Sequence, residues 1–276
     1  MPAFTAPDGT VLAFRAIGEG EPLICLPGGM QGSAYLGDLG GLREHRRLIL
    51  LDPRGTGESG TPDDPATYRC DRMVGDVEAL REHLGLDRFD LLAHCAGANL
   101  AALYLGRHSE RVRRAAFITP STMAAGLFAT GDDRLELARL RAHEPWFPGA
   151  YAALRAIVAG ESADFTAIDP FFYGRWDDRA RAHLAAQQGQ RNDEAAATFG
   201  GEGAYDPEAT RAALGAFTAP VFVLAAEHDM NSPPVVVARF AALFPAAGQA
   251  LQPGAGHYPW VDDAETFVAT VSAFLR

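Results

Sequence analysis

The feature that most constrains this chain is the alternation of short apolar, β-branched or Leu-rich runs with longer segments of helical period. The runs are Val11 to Ile17, Pro22 to Leu26, Leu48 to Leu51, Phe89 to His94, Ala115 to Thr119, Val221 to Ala225 and Gln249 to Gln252. Between or after them, Arg72 to Leu84, Ala96 to Arg107, Pro233 to Leu243 and Asp263 to Phe274 read as helices. Strand and helix in regular succession predict an α/β fold, a mostly parallel sheet flanked by helices. One core domain with an insertion accounts for 276 residues, because large α/β sheets reach this length as a single folding unit.

The rhythm stops between Pro120 and about Asp206. Helical pieces at Leu135 to His143, Tyr151 to Val158 and Arg179 to Gln190 replace it, with Trp146, Phe147, Phe171, Phe172, Tyr173 and Trp176 between them. Residues 1–119 and 207–276 are therefore expected to form the core. Residues 120–206 are expected to form a helical cap over the carboxyl edge of the sheet, where open α/β sheets bind ligands.

Composition removes several classes of function. A formal net charge of −11 opposes binding to nucleic acid, whose phosphates are neutralised by Lys and Arg. All 24 basic residues are Arg, so Schiff-base lysine chemistry and the lysine of a phosphate-binding loop are excluded. Cys25, Cys70 and Cys95 are widely spaced and odd in number, which fits neither a disulfide framework nor a zinc site. The histidines at 45, 83, 108, 143, 183 and 228 show no paired metal-ligand spacing, and neither metal nor cofactor is expected. Without a signal-peptide pattern in Met1 to Thr10 or an apolar run long enough to cross a bilayer, the expected location is the cytoplasm, with no membrane partner. The oligomeric state is not legible.

Chemistry concentrates at Leu91-Leu92-Ala93-His94-Cys95-Ala96-Gly97-Ala98, an apolar strand that runs into an Ala-rich helix through small residues. This is the form of a nucleophile elbow, in which small residues two before and two after the nucleophile let strand and helix approach. Ala93 and Gly97 meet that need, and the helix N-terminus favours negative charge on Cys95 or on a developing oxyanion. Cys25 and Cys70 read as core residues, and His94 as structural. Two further loops stand out, Leu26-Pro27-Gly28-Gly29-Met30 and Asp52-Pro53-Arg54-Gly55-Thr56-Gly57-Glu58-Ser59. Late in the chain, Val221 to Ala226 leads into Glu227-His228-Asp229, and Gly254-Ala255-Gly256-His257 follows the last strand.

Together these segments resemble the proline iminopeptidase-like branch of the α/β-hydrolase superfamily, nearly end to end outside the cap. The Asp52 to Ser59 segment matches the branch's D-x-R-G-x-G-x-S loop at every defined position. Leu26 to Met30 resembles its H-G-G-P loop, with Pro27 and Met30 departing from it. The resemblance implies an α/β-hydrolase fold with an eight-stranded sheet and a triad in the order nucleophile, acid, histidine: Cys95, Asp229 and His257. Glu227 is the local competitor for the acid. Gly29 and Ala96 N–H groups are implied as the oxyanion hole. Met30, and Glu144 and Trp146 of the cap, are expected to meet a small-molecule substrate.

Most of that branch carries serine where this chain has Cys95. The first reading is an enzyme that opens an ester, thioester, lactone or amide through an acyl-enzyme at Cys95, followed by hydrolysis, acyl transfer or cyclisation. The alternatives are an aminopeptidase of the proline iminopeptidase type whose serine was replaced by cysteine, and a ligand-binding homologue without turnover. Fold alone does not choose among them.

Overall fold

The structure, a computed structural model, describes residues 1–276. Eight strands, β1 (Ala3–Thr5), β2 (Val11–Ile17), β3 (Pro22–Leu26), β4 (Arg47–Leu51), β5 (Phe89–His94), β6 (Val112–Ile118), β7 (Val221–Ala226) and β8 (Ala247–Gln252), form one sheet. Their order is β1-β2-β4-β3-β5-β6-β7-β8. β1 pairs antiparallel with β2, β2 antiparallel with β4, and every other pairing is parallel. The expected α/β-hydrolase architecture is therefore present. The seven apolar runs of the sequence became β2 to β8, and β1 completes the edge.

The helices are α1 (Cys70–His83), α2 (Gly97–His108), α3 (Gly131–Ala138), α4 (Phe147–Val158), α5 (Asp178–Gln187), α6 (Asp193–Phe199), α7 (Pro207–Ala216), α8 (Pro234–Ala241), α9 (Pro259–Asp262) and α10 (Ala264–Leu275). None is long and apolar enough to cross a membrane. The central strands are apolar at successive positions because both faces are covered. In β3, Ile24 and Leu26 join the core under α1, α2 and α8, while Leu23 and Cys25 join the core under α10; β4 divides Ile49 and Leu51 from Leu48 and Leu50 in the same way. Each such side chain, fully withdrawn from water, contributes about 1.5–3 kcal/mol. Cys25 and Cys70 lie wholly inside these cores, where burial pushes both thiols up.

The Asp52 to Ser59 loop, which follows β4, is a scaffold. Asp52 Oδ1 accepts from the amide and hydroxyl of Ser33, both at 2.6 Å, and Oδ2 accepts from Glu58 N–H. Buried Arg54 donates twice to buried Asp76 of α1, at 2.9 and 2.5 Å, and once to Asp8. Gly57 is fixed by proximity, since a Cβ there would stand 2.3 Å from Asp52 Oδ2. The defined positions of this loop thus have a structural account in the contacts of Asp52, Arg54 and Gly57.

From β3 the chain passes to β4 on one side, and β5 lies on the other. This reversal opens a crevice at the carboxyl ends of β3 and β5, the place where such sheets bind ligands. Between β6 and α7 the chain forms α3 to α6 and three short 3₁₀ segments, with no strand. Its apolar cluster of Ala138, Ala150, Leu154, Ile168 and Phe171 closes over Met230, the residue after Asp229.

Candidate functional site

Cys95 is the first residue beyond β5, and its φ of +50° lies in the left-handed region that a side chain with a Cβ rarely adopts. The turn is held from both sides. Cys95 N–H donates to the Ile118 carbonyl, and the Cys95 carbonyl accepts from Ala98 and Ser121 N–H. A Cβ on Gly97 would stand 2.5 Å from the Leu26 carbonyl oxygen, so only glycine lets α2 begin this close to β3. Cys95 keeps partial exposure while the strand beneath it is buried.

The two glycines after β3 do different work. A Cβ on Gly28 would meet Cys95 Cβ at 2.5 Å and Ala96 N at 2.9 Å, so Gly28 lets the loop lie against the elbow. Gly29 has open space around its Cα, where the nearest atom to a Cβ would be in the Gln31 side chain at 3.8 Å, but its φ is +70°. That twist leaves its amide without a protein acceptor; Ala96 N–H likewise has none. Two free, partly exposed amides therefore flank Cys95.

Asp229 and His257 follow β7 and β8. His257 Nδ1 donates to Asp229 Oδ2 at 2.8 Å, and both residues are buried. Asp229 Oδ1 accepts from Asn231 and Ser232 N–H, which fixes the carboxylate. Burial works against charge on His257, but the Asp229 carboxylate and Cys95 outweigh it and raise the imidazole to about 10. Glu227, the competitor, turns away to accept from Gly254 N–H.

Asn231 carries no motif, yet its Nδ2 lies 3.3 Å from His257 Nε2 and 3.7 Å from Cys95 Sγ. Arg134 of α3 holds this loop by donating to the carbonyls of Met230 and Asn231. A second unforeseen unit is Tyr35 with His94. Burial, with His257 nearby, holds His94 well below its ordinary range and therefore neutral. Its Nε2 lies 3.0 Å from the His257 carbonyl, which can only accept, so Nδ1 must accept from the Tyr35 hydroxyl at 2.7 Å. Tyr35 Oη in turn accepts from Gly28 N–H. One buried chain of hydrogen bonds thus joins the loop beside the elbow to the backbone of His257. The sequence offered no signal for it beyond a histidine next to Cys95.

Beside Gly29 and Ala96 lies a cavity of about 360 Å³, lined also by Met30, Ser121, Phe199 and Tyr205; its one charged lining residue is Arg191, and no carboxylate faces it. Neither this cavity nor a larger depression of about 750 Å³ around Gly57 and Arg191 is lined by Cys95, Asp229 or His257; the smaller one adjoins the elbow through Ala96. Met30 thus reaches the cavity, but Glu144 and Trp146 do not line it. Glu144 is bound to buried Arg141 at 3.0 Å, three residues upstream. The same guanidinium stands over the Trp146 ring, 5.0 Å from the ring centroid, and Trp146 is edge-on to Phe171.

A family model for the alpha/beta hydrolase fold matches residues 21–264. The proline iminopeptidase of Heyndrickxia coagulans is 37% identical over 112 residues, 40% of this chain and 39% of that relative, so the match spans about two fifths of the curated relative. Among solved structures, a proline iminopeptidase-related protein of Thermus thermophilus is 26% identical, with 99% of this chain and 96% of that chain covered at a TM-score of 0.74. An esterase from Exiguobacterium antarcticum, 18% identical over 99% of this chain and 98% of its own at a TM-score of 0.75, shares the fold. On its strand order, its elbow and the extent of the family match, this chain belongs to the α/β-hydrolase-fold family.

Proposed function

We propose that this protein is a hydrolase or acyltransferase that attacks an ester, thioester or lactone through Cys95, with Asp229 and His257 completing the triad. The observation that carries this reading is the strained elbow: Cys95 stands at φ +50° between two unpaired amides, in reach of an amide that also touches a buried His257–Asp229 pair. Strain of this kind costs about 1–3 kcal/mol and persists where the surroundings enforce it for function.

This reading implies the following steps. The Cys95 thiolate adds to the substrate carbonyl, and Gly29 and Ala96 N–H receive the developing oxyanion. Collapse breaks the bond to the leaving group, which takes the proton of His257 Nε2 and leaves a thioester on Cys95. Water or another nucleophile, deprotonated by His257, then resolves the thioester. Asp229 holds the tautomer that presents Nε2 to these protons. We further propose that residues 120–206 serve as the cap and that Met30 contacts the acyl group.

Prolyl amides are the disfavoured substrates. A free amino terminus calls for a carboxylate, and the cavity at Gly29 and Ala96 offers Arg191 instead. Glu144 is already neutralised by Arg141. The test is intact-mass spectrometry after exposure to esters, thioesters, lactones and N-terminal prolyl amides, comparing the parent with Cys95→Ala and His257→Ala. The expected outcome is an acyl adduct on Cys95 from at least one of the first three classes, absent in Cys95→Ala. Turnover unchanged by Cys95→Ala would refute the reading.

A further inference from the structure

Asn231 is the one polar side chain outside the three proposed triad members that reaches two reacting atoms at once. Its Nδ2 lies within hydrogen-bonding range of Cys95 Sγ at 3.7 Å and His257 Nε2 at 3.3 Å. Its own backbone is anchored, since Asn231 N–H donates to Asp229 Oδ1 and the Asn231 carbonyl accepts from Arg134. The side chain is therefore presented from a loop tied both to the acid and to α3.

The two contacts belong to different stages. An amide N–H can donate to Nε2 only when that nitrogen carries a lone pair, and to sulfur most strongly when the sulfur is an anion. Attack requires sulfur as the thiolate and the proton on Nε2, and in that arrangement the amide can bond only to sulfur. Attack makes the S–C bond and moves the carbonyl π pair onto oxygen. Collapse breaks the bond to the leaving group, which departs with the proton from Nε2. Sulfur is then an uncharged thioester, and the bare Nε2 is the better acceptor. This is the nitrogen that must take a proton from water for hydrolysis.

Resting on the acyl-enzyme reading above, we infer that Asn231 is a further catalytic residue that supports the Cys95 thiolate before attack and occupies His257 Nε2 afterwards, delaying water and prolonging the acyl-enzyme. A neutral amine forms its bond to the thioester before it loses a proton, whereas water needs the base as it attacks, so the device slows hydrolysis more than transfer to an amine. The arrangement has opposite effects on the two half-reactions, a signature that simple support of the loop would not produce.

The experiment compares the parent with Asn231→Ala and Asn231→Leu, which both lack the donor but differ in volume. p-Nitrophenyl butyrate serves as the probe. Stopped-flow release of p-nitrophenolate reads acylation, and timed intact-mass spectra read the decay of the adduct on Cys95. Resistance of the buried Cys25 and Cys70 to iodoacetamide confirms that each variant is folded. Loss of the charge-assisted bond to sulfur predicts acylation slower by ~10-fold or more, and loss of the neutral bond to Nε2 predicts adduct decay faster by ~5-fold, in both variants. Adduct decay that is unchanged or slower in the two variants overturns the inference while leaving the acyl-enzyme reading intact. Failure of the parent to form any adduct on Cys95 overturns both.

Discussion

Gly28→Ala and Gly29→Ala look like the same substitution in sequence, and the structure assigns them different consequences. At position 28 the new methyl would stand 2.5 Å from Cys95 Cβ, about 0.9 Å inside the 3.4 Å at which ordinary contact begins. Its other neighbours are Ala96 N at 2.9 Å and the His94 carbonyl at 3.0 Å, backbone atoms with no flexible end to swing aside. The elbow itself must move by most of an ångström. Overpacking of this kind costs about 1–3 kcal/mol of stability. A displacement near 1 Å between reacting groups costs roughly 100-fold in rate. At position 29 the methyl meets nothing nearer than Gln31 at 3.8 Å, and the penalty is the φ of +70°, about 1–2 kcal/mol. Urea unfolding and the burst of p-nitrophenolate from p-nitrophenyl butyrate measure the two effects separately. Gly28→Ala is expected to lose roughly 100-fold in burst rate, and Gly29→Ala less than ~10-fold with most of its cost in stability. A burst in Gly28→Ala within about threefold of the parent, or one faster than in Gly29→Ala, would defeat the packing argument.

Two further outcomes follow from buried charge. Arg54→Met strips Asp76 of its two hydrogen bonds while leaving the carboxylate buried, so urea unfolding should show a loss of about 3–5 kcal/mol; a loss below ~1 kcal/mol would mean the pair adds nothing to the fold. His257, raised from 6.5 to about 10, is held protonated by its folded surroundings, so its contribution to stability is full below pH 6.5 and is lost as pH rises through about 10. Asp229→Asn should flatten this alkaline decline in urea unfolding, and a decline identical to the parent's would assign it to other groups.

Much of the fold was legible because burial on both faces writes itself into the sequence as continuous apolar runs. β1 escaped because three residues, Ala3 to Thr5, are too few to display a period. Within residues 120–206, short 3₁₀ segments and α6 carry weak periodicity, and their caps, such as Asn192 accepting from Ala195 N–H, are local signals that were present but easily read as loop. Cys95, Asp229 and His257, the proposed triad, could be singled out because each follows a strand, with small residues around Cys95 and glycines before His257. Asn231 and Tyr35 went unremarked, and His94 read as structural without its partners, because a hydrogen bond between residues far apart in sequence has no pattern along the chain. For Glu144 the relevant clue was local: Arg141 is three residues earlier, the spacing at which a helical turn pairs charges.

The loop that carries Gly29 is clasped from above. The Met30 carbonyl accepts from Asn192 N–H, Gly32 N–H donates to the Gln190 carbonyl, and Gln31 bridges to Arg191. Residues 190–192 therefore act as a short splint on the same backbone that presents the free Gly29 amide. In the mechanism proposed above, that amide receives the developing charge, so the position of the donor is set by backbone contacts about 160 residues further along the chain. Loosening the splint would therefore slow all carbonyl substrates together and leave the preference among them unchanged, because the amide it holds is common to every one.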